Sequence, residues 1–253
     1  HRVSPASGAN GRCRTDATRR RSSALLPSAA SPAIISDFTS PRAWAFTLLG
    51  LHEYFRTLHG DLLADRQRED LSGKLLALFE GNAAPDWPWG EDIVAYDNAR
   101  LPQALILAGR FTGNDRMKKR GLEALDWLME IQSAGPGHFR PVGSNGFLLR
   151  GGQPALHDQQ PLEAAASVGA CIEAFNATGD PRWKHSAQRA FEWFLGANDL
   201  RLSLYDHETG GCRDGLHESR ANRNQGAEST LSFLLARAEI QTLHTAAPAV
   251  CLL

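Results

Sequence analysis

The sequence lacks several things that would direct an early guess. Only 4 of its 253 residues are cysteine. Cys13, Cys171, Cys212 and Cys251 show no C-x-x-C spacing, so neither a zinc ribbon nor a disulfide framework is indicated, and a reducing cytoplasm is the expected setting. Charge of one sign is not in excess: 27 basic residues face 28 acidic ones. No field recruits nucleic acid or an anionic membrane, and nucleic acid is not an expected partner. No run approaches the roughly 20 apolar residues that cross a bilayer, because charges break the helical stretches every third or fourth position. Walker A, G-x-G-x-x-G and G-x-S-x-G patterns are missing, as are H-E-x-x-H and EF-hand spacings. No metal site and no cofactor is therefore expected.

What is present is a repeat. Thr112-Gly-Asn-Asp-Arg-Met-Lys118 aligns with Thr178-Gly-Asp-Pro-Arg-Trp-Lys184 at a shift of 66, which also superposes Ala124 on Ala190 and Trp127 on Trp193. A weaker copy of the turn stands at His59-Gly60-Asp61. Gly60, Gly113 and Gly179 occupy helix-stop positions, and Asp61, Asn114 and Asp180 occupy N-cap positions. Apolar periodicity near 3.6 predicts helices over 44–58, 71–79, 101–111, 122–131, 162–175, 187–195 and 227–243. That makes about seven helices in four hairpins, the last unfinished.

Within each hairpin one helix is rich in Ala, Leu and Val, and its partner carries Arg, Lys and Glu. A helix apolar on most sides is buried, so the first kind forms an inner ring and the second an outer ring. The expected fold is all-α: an incomplete (α/α) toroid over residues 41–245, with small hairpin-like loops on one face. A plain solenoid of helix pairs is the alternative. Residues 1–40, rich in Arg, Ser, Ala and Pro, read as a disordered lead-in, and 246–253 as a tail. The chain reads as a fragment whose missing hairpins lie upstream.

Inner-to-outer connections are short, whereas outer-to-inner connections are long: 81–96, 132–159 and 196–224. Loops of this length suggest function, and all three fall at the end where inner helices begin. Their residues suit sugar, since aromatic faces stack on pyranose rings and carboxylates and amides bond hydroxyl groups. Trp87, Trp89 and Tyr205 are candidate stacking residues, although Trp87 and Trp89 could equally plug a core edge. Glu91, Asn98, Gln160, Asp206, Asn224 and Gln225 are candidate substrate contacts, with an Asx-type turn the plainer reading of Asp206. Asp97, Asp158, Glu163 and Glu228 are the candidate acid/base carboxylates. Gln160-Pro-Leu-Glu163 and Gln225-Gly-Ala-Glu228 share Q-x-x-E, which is also the pattern of a carboxylate returning to cap its own helix. An epimerase would require a general-base histidine, for which His138, His157 and His207 are available.

The stretches Asp158-Gln-Gln-Pro-Leu-Glu-Ala-Ala-Ala-Ser, Phe191-Glu-Trp-Phe-Leu-Gly, Tyr205-Asp-x-Glu-Thr-Gly-Gly-Cys and Asn222-Arg-Asn-Gln-Gly-Ala-Glu-Ser-Thr together resemble the C-terminal domain of bacterial glycosyltransferase-like proteins, over about 41–243. The resemblance implies a six-hairpin domain similar in fold to toroid glycosidases and sugar epimerases, following an upstream transferase domain and handling an oligosaccharide or glycan. It assigns no catalytic residue. The present sequence lacks the transferase half.

Overall fold

A computed structural model describes residues 38–135 and 137–245. The expected tail, and all but the last three residues of the expected lead-in, lie outside the described residues. Seven α-helices account for most of the rest: α1 (Pro41–Thr57), α2 (Leu62–Asn82), α3 (Arg100–Thr112), α4 (Asp115–Ile131), α5 (Pro161–Thr178), α6 (Arg182–Glu192) and α7 (Ala227–Thr245). A 3-10 turn, Trp193–Leu195, extends α6.

The helices start and stop where short polar residues and glycines can satisfy their ends. Asp61 accepts from the N–H groups of Leu63 and Ala64, Asn114 from those of Arg116 and Met117, and Asp180 from that of Arg182. Gly113 and Gly179 close α3 and α5 in the left-handed conformation, at φ 70° and 72°.

The order α1, α3, α5, α7 forms a continuous inner row in which each helix packs on the next. α2, α4 and α6 lie outside it, each against its hairpin partner. α5 is buried along almost its whole length from Pro161 to Ala174, while α4 and α6 bury one face and expose charges on the other. This is the toroid layering read from the sequence, in three complete hairpins and one further inner helix among the described residues.

Two inner helices differ in height, and the site depends on that difference. α3 and α5 end at equivalent Thr-Gly pairs, yet α3 has 13 residues and α5 has 18. At about 1.5 Å per residue the additional five raise the start of α5 by about 7.5 Å, beside the segment that leads into α3.

Trp87 and Trp89 are corrected by the structure. They are 4% and 0% exposed, packed with Trp127 at ring separations of 5.0 and 5.9 Å, and their indole N–H groups donate to the carbonyls of Glu91 and Ile93. They seal the first long loop onto the helices and offer no face to a sugar.

Glycine in mid-helix is costly unless a neighbour needs the space. A Cβ on Gly109 would lie 2.5 Å from the Lys118 nitrogen and 2.8 Å from the Asn114 carbonyl oxygen, so α3 meets α4 backbone to backbone there. Gly50 in α1 has nothing within 4 Å of the same point. Gly109→Ala is expected to destabilise the fold by about 1–3 kcal/mol through overpacking. Gly50→Ala is expected to stabilise it by about 0.5–1 kcal/mol. Urea denaturation of both variants checks the opposite signs.

Candidate functional site

The three long loops lie together over the ends where the inner helices begin. The first and second are joined by a two-residue antiparallel ladder, Ile93 with Leu149 and Val94 with Leu148. The second and third are joined at Gln159 and Leu216, which exchange both backbone hydrogen bonds. A second tie is ionic: Asp199 accepts from Arg140, His138 and Gln159, and Gln159 accepts from the buried Trp193 indole. Burial opposes the Asp199 charge, but Arg140 and these partners hold its carboxyl down to about 2. His138 is thereby committed to bracing.

The centre of the mouth is built around Glu163. Its side chain, in the raised first turn of α5, is 1% exposed, and it reaches across to the preceding hairpin. One carboxylate oxygen accepts from the Asp97 N–H at 2.5 Å; the other accepts from the Asn98 N–H at 3.2 Å and the Asn98 side-chain amide at 3.0 Å. For Glu163 the capping alternative raised by the Q-x-x-E pattern is corrected here. Gln160 makes no side-chain cap, so Glu163 is not part of a local capping box, and its carboxyl lies sealed from solvent beneath Asp97 and Asn98.

Asn98 is wholly buried and turns its amide oxygen to the Ala95 N–H and to Arg42. Arg42, in the first turn of α1, donates to Glu91 at 2.5 Å and to the Tyr96 carbonyl at 2.5 Å. Glu91 is therefore a structural ion-pair partner. Asp97 follows, in the left-handed region at φ 47°, with Arg100 at 3.6 Å. Burial drives its carboxyl up; Arg100 and Arg42 partly offset this, Glu228 adds to it, and the result is about 6. Glu163 is raised to about 7, by burial first and then by the Asp97 charge.

Asp158 repeats the position of Asp97. It too is left-handed, at φ 59°, and each stands three residues before its inner helix, Arg100 for α3 and Pro161 for α5. Non-glycine residues seldom adopt this conformation, and strain of this kind collects at functional sites. Asp158 is half-exposed and hydrogen-bonded to His217 Nδ1. Each aspartate is followed by a buried amide that anchors the loop, Asn98 in one case and Gln159 in the other.

The remaining candidates divide. Glu228 is exposed at the start of α7, close enough for its charge to act on Tyr96 and Asp97. Asn224 is exposed and Gln160 half-exposed at the same end. Tyr205 stacks on Phe233 at 4.4 Å and belongs to the core edge. Asp206 caps its own turn through the Glu208 and Thr209 N–H groups, and Gln225 is bound to Asp206 and Thr209, so these two hold the third loop. Sequence reasoning missed Arg42, which no motif marks, and His217, which gains meaning only from the pairing of Leu216 with Gln159. It also passed over Tyr96, the exposed aromatic beside Asp97. Among the described residues no group of three His, Cys, Asp or Glu side chains could hold a metal ion. Nor is any helix among them long and apolar enough to cross a membrane.

The helical layers and the loop-covered mouth define an α/α-toroid architecture. The chain is similar to a solved unsaturated glucuronyl hydrolase specific for heparin, with a TM-score of 0.51 and 15% identity over 72% of this chain and 53% of that one. It thus spans about half the length of that protein, and the likeness is one of fold. No protein-family model and no curated protein sequence matches it.

The raised carboxyls of Asp97 and Glu163, joined by those of Glu173 and Glu239 between the inner helices, make stability depend on pH with a definite sign. The folded state binds protons that the unfolded chain releases above about pH 4, so this contribution is complete below that pH and is lost as pH rises through about 6 to 7. A two-unit shift is worth about 3 kcal/mol. Asp97→Asn is expected to flatten the fall in stability between pH 4 and 7, measured as the urea midpoint against pH for both proteins.

Proposed function

We propose that the mouth processes a carbohydrate, with Asp97 exchanging a proton with the substrate and Asp158 as the second carboxylate. The observation that carries this reading is the pair itself: two aspartates in the same strained conformation, at equivalent positions before adjacent inner helices, one of them tuned close to neutrality. A proton donor and acceptor works best with a midpoint near the working pH. His217, bonded to Asp158, is placed to orient that carboxylate, and Tyr96 is the aromatic available for stacking. The fold is similar to that of an unsaturated glucuronyl hydrolase, which supports the substrate class. Because that neighbour is named for heparin, unsaturated heparin-derived oligosaccharides are the first substrates to offer.

A second reading, a non-catalytic module that holds a glycan or packs against an upstream glycosyltransferase domain, is favoured by one observation. Phe46, Leu62 and Leu63, on the first hairpin, are 46%, 70% and 57% exposed, an apolar edge of the kind that domains bury. A sugar epimerase is a third reading, for which His217 in the mouth would be the base.

Turnover of a panel of oligosaccharides separates these. Asp97→Asn and Asp158→Asn are each expected to cut kcat at least about 100-fold with the fold retained, the usual scale for losing acid or base catalysis. Glu228→Gln is expected to cost about tenfold or less, since it acts on Asp97 only through its charge. Binding without turnover by the unaltered protein selects the module, and inversion of a free sugar selects the epimerase.

A further inference from the structure

We propose that Glu163 is a positioning residue, ionised beneath the mouth, which clamps Asp97 in its left-handed conformation and keeps the shared proton on Asp97, making Asp97 the donor. The inference rests on the reading of Asp97 as the group that meets the sugar, but its chemistry can be tested without any sugar.

The Asp97 charge acts on the buried Glu163, so the two carboxyls do not both ionise readily near neutrality and the pair retains a proton. Burial and mutual repulsion leave the two midpoints within about a unit, Glu163 about 7 and Asp97 about 6, an order opposite to the one proposed, and the ground for reversing it is the placement of the hydrogen bonds. Glu163 is surrounded by donors: the N–H groups of Asp97 and Asn98 and the Asn98 amide point at its two oxygens. All three reward a negative charge, and a protonated Glu163 would turn an O–H towards groups that have nothing to accept it with. Asp97 has no such set of donors. Its charged surroundings are mixed, with Arg100 at 3.6 Å and Arg42 behind it, against Glu163 and Glu228 and beside Tyr96. Arg42 is already committed to Glu91 and to the Tyr96 carbonyl, and Arg100 divides itself between Asp97 and Gln103. Asp97 is accordingly the member of the pair that retains the proton.

The same bonds fix the backbone. A left-handed aspartate carries strain, and here its own N–H and the next are both held by a carboxylate from another hairpin. The clamp exists because α5 stands higher than α3. At the repeat shift of 66, Glu163 falls level with Asp97.

The test is a titration of the full chain carrying 13C at aspartate and glutamate carboxyl carbons, with signals assigned from Asp97→Asn and Glu163→Gln. Near pH 6.5 the Glu163 signal is expected in the ionised position, with Asp97 the later of the two to lose its proton. In Glu163→Gln the Asp97 midpoint is expected to fall by about one unit or more as the neighbouring charge is removed. If that variant is active, the alkaline limb of its turnover profile moves down by the same amount. A Glu163 that stays protonated while Asp97 ionises first overturns the proposal, and so does an Asp97 midpoint unmoved in a folded Glu163→Gln. Should that variant fail to fold, the order of ionisation in the unaltered protein decides alone. A tuned Asp97 in a protein that turns over no saccharide would refute the proposed function while leaving the clamp intact. Turnover that needs Asp97, with the order of ionisation reversed, would do the opposite.

Discussion

A buried carboxylate meeting three N–H donors from another hairpin is the constraint around which this molecule is arranged. Sealing Glu163 away from water would cost several kcal/mol if its oxygens were unmatched, and removing either side of the contact leaves the other unpaired. The contact forms at one relative height of α5 and α3 only. It therefore fixes how one hairpin stacks on the last, in a direction where apolar packing alone is permissive, since Ala- and Leu-rich faces slide with little penalty. Apolar burial makes the inner row; the Glu163 contact sets its register.

Once that register is fixed, the loops separate into two kinds of work. Some of their residues are fastenings: Trp87 and Trp89 press the first loop onto Trp127, and Asp199 ties Arg140, His138 and Gln159 together. Others are left facing the mouth: Tyr96, Asp97, Asp158, His217 and Glu228. The repeat is visible at this level too. An aspartate in the left-handed conformation followed by a buried amide recurs as Asp97-Asn98 and Asp158-Gln159, one residue presented and the next anchored. Strain at the first is bearable because the second is so thoroughly bonded.

The architecture was legible because its determinants are local and repeated. Gly113 and Gly179 stop helices, Asn114 and Asp180 start them, and a constant shift repeats the pattern at the right interval. Roles within the site were less legible, for a physical reason. Gln160-Pro-Leu-Glu163 has the spacing of a local cap, yet the partners of Glu163 are a whole repeat away, and the unequal lengths of α3 and α5 decide that. Trp87 and Trp89 have the composition of a sugar platform and the burial of a core. Arg42 and His217 belong to no pattern, since each acquires its partners only when separate loops close together. Asp97 and Asp158 were found as acids, but their shared backbone conformation is a property of the fold.

The bore of the toroid differs electrostatically from the mouth. A cavity of about 570 Å³ runs between the inner helices, lined by Arg100, Arg110, Glu173 and Glu239 among others. Its charges oppose one another across the space: Arg110 meets Glu173 at 2.9 Å, and Arg100 lowers the raised carboxyl of Glu239. A lining that balances its own charge has little net field with which to select a ligand. At the mouth Arg42 pairs with Glu91 and Arg100 lies 3.6 Å from Asp97, while the exposed Glu228 adds its own charge. Burial, which those two arginines only partly offset, keeps a proton bound there near neutrality. Arg100 belongs to both regions, so a ligand that displaces it from Asp97 would change the bore and the proton together.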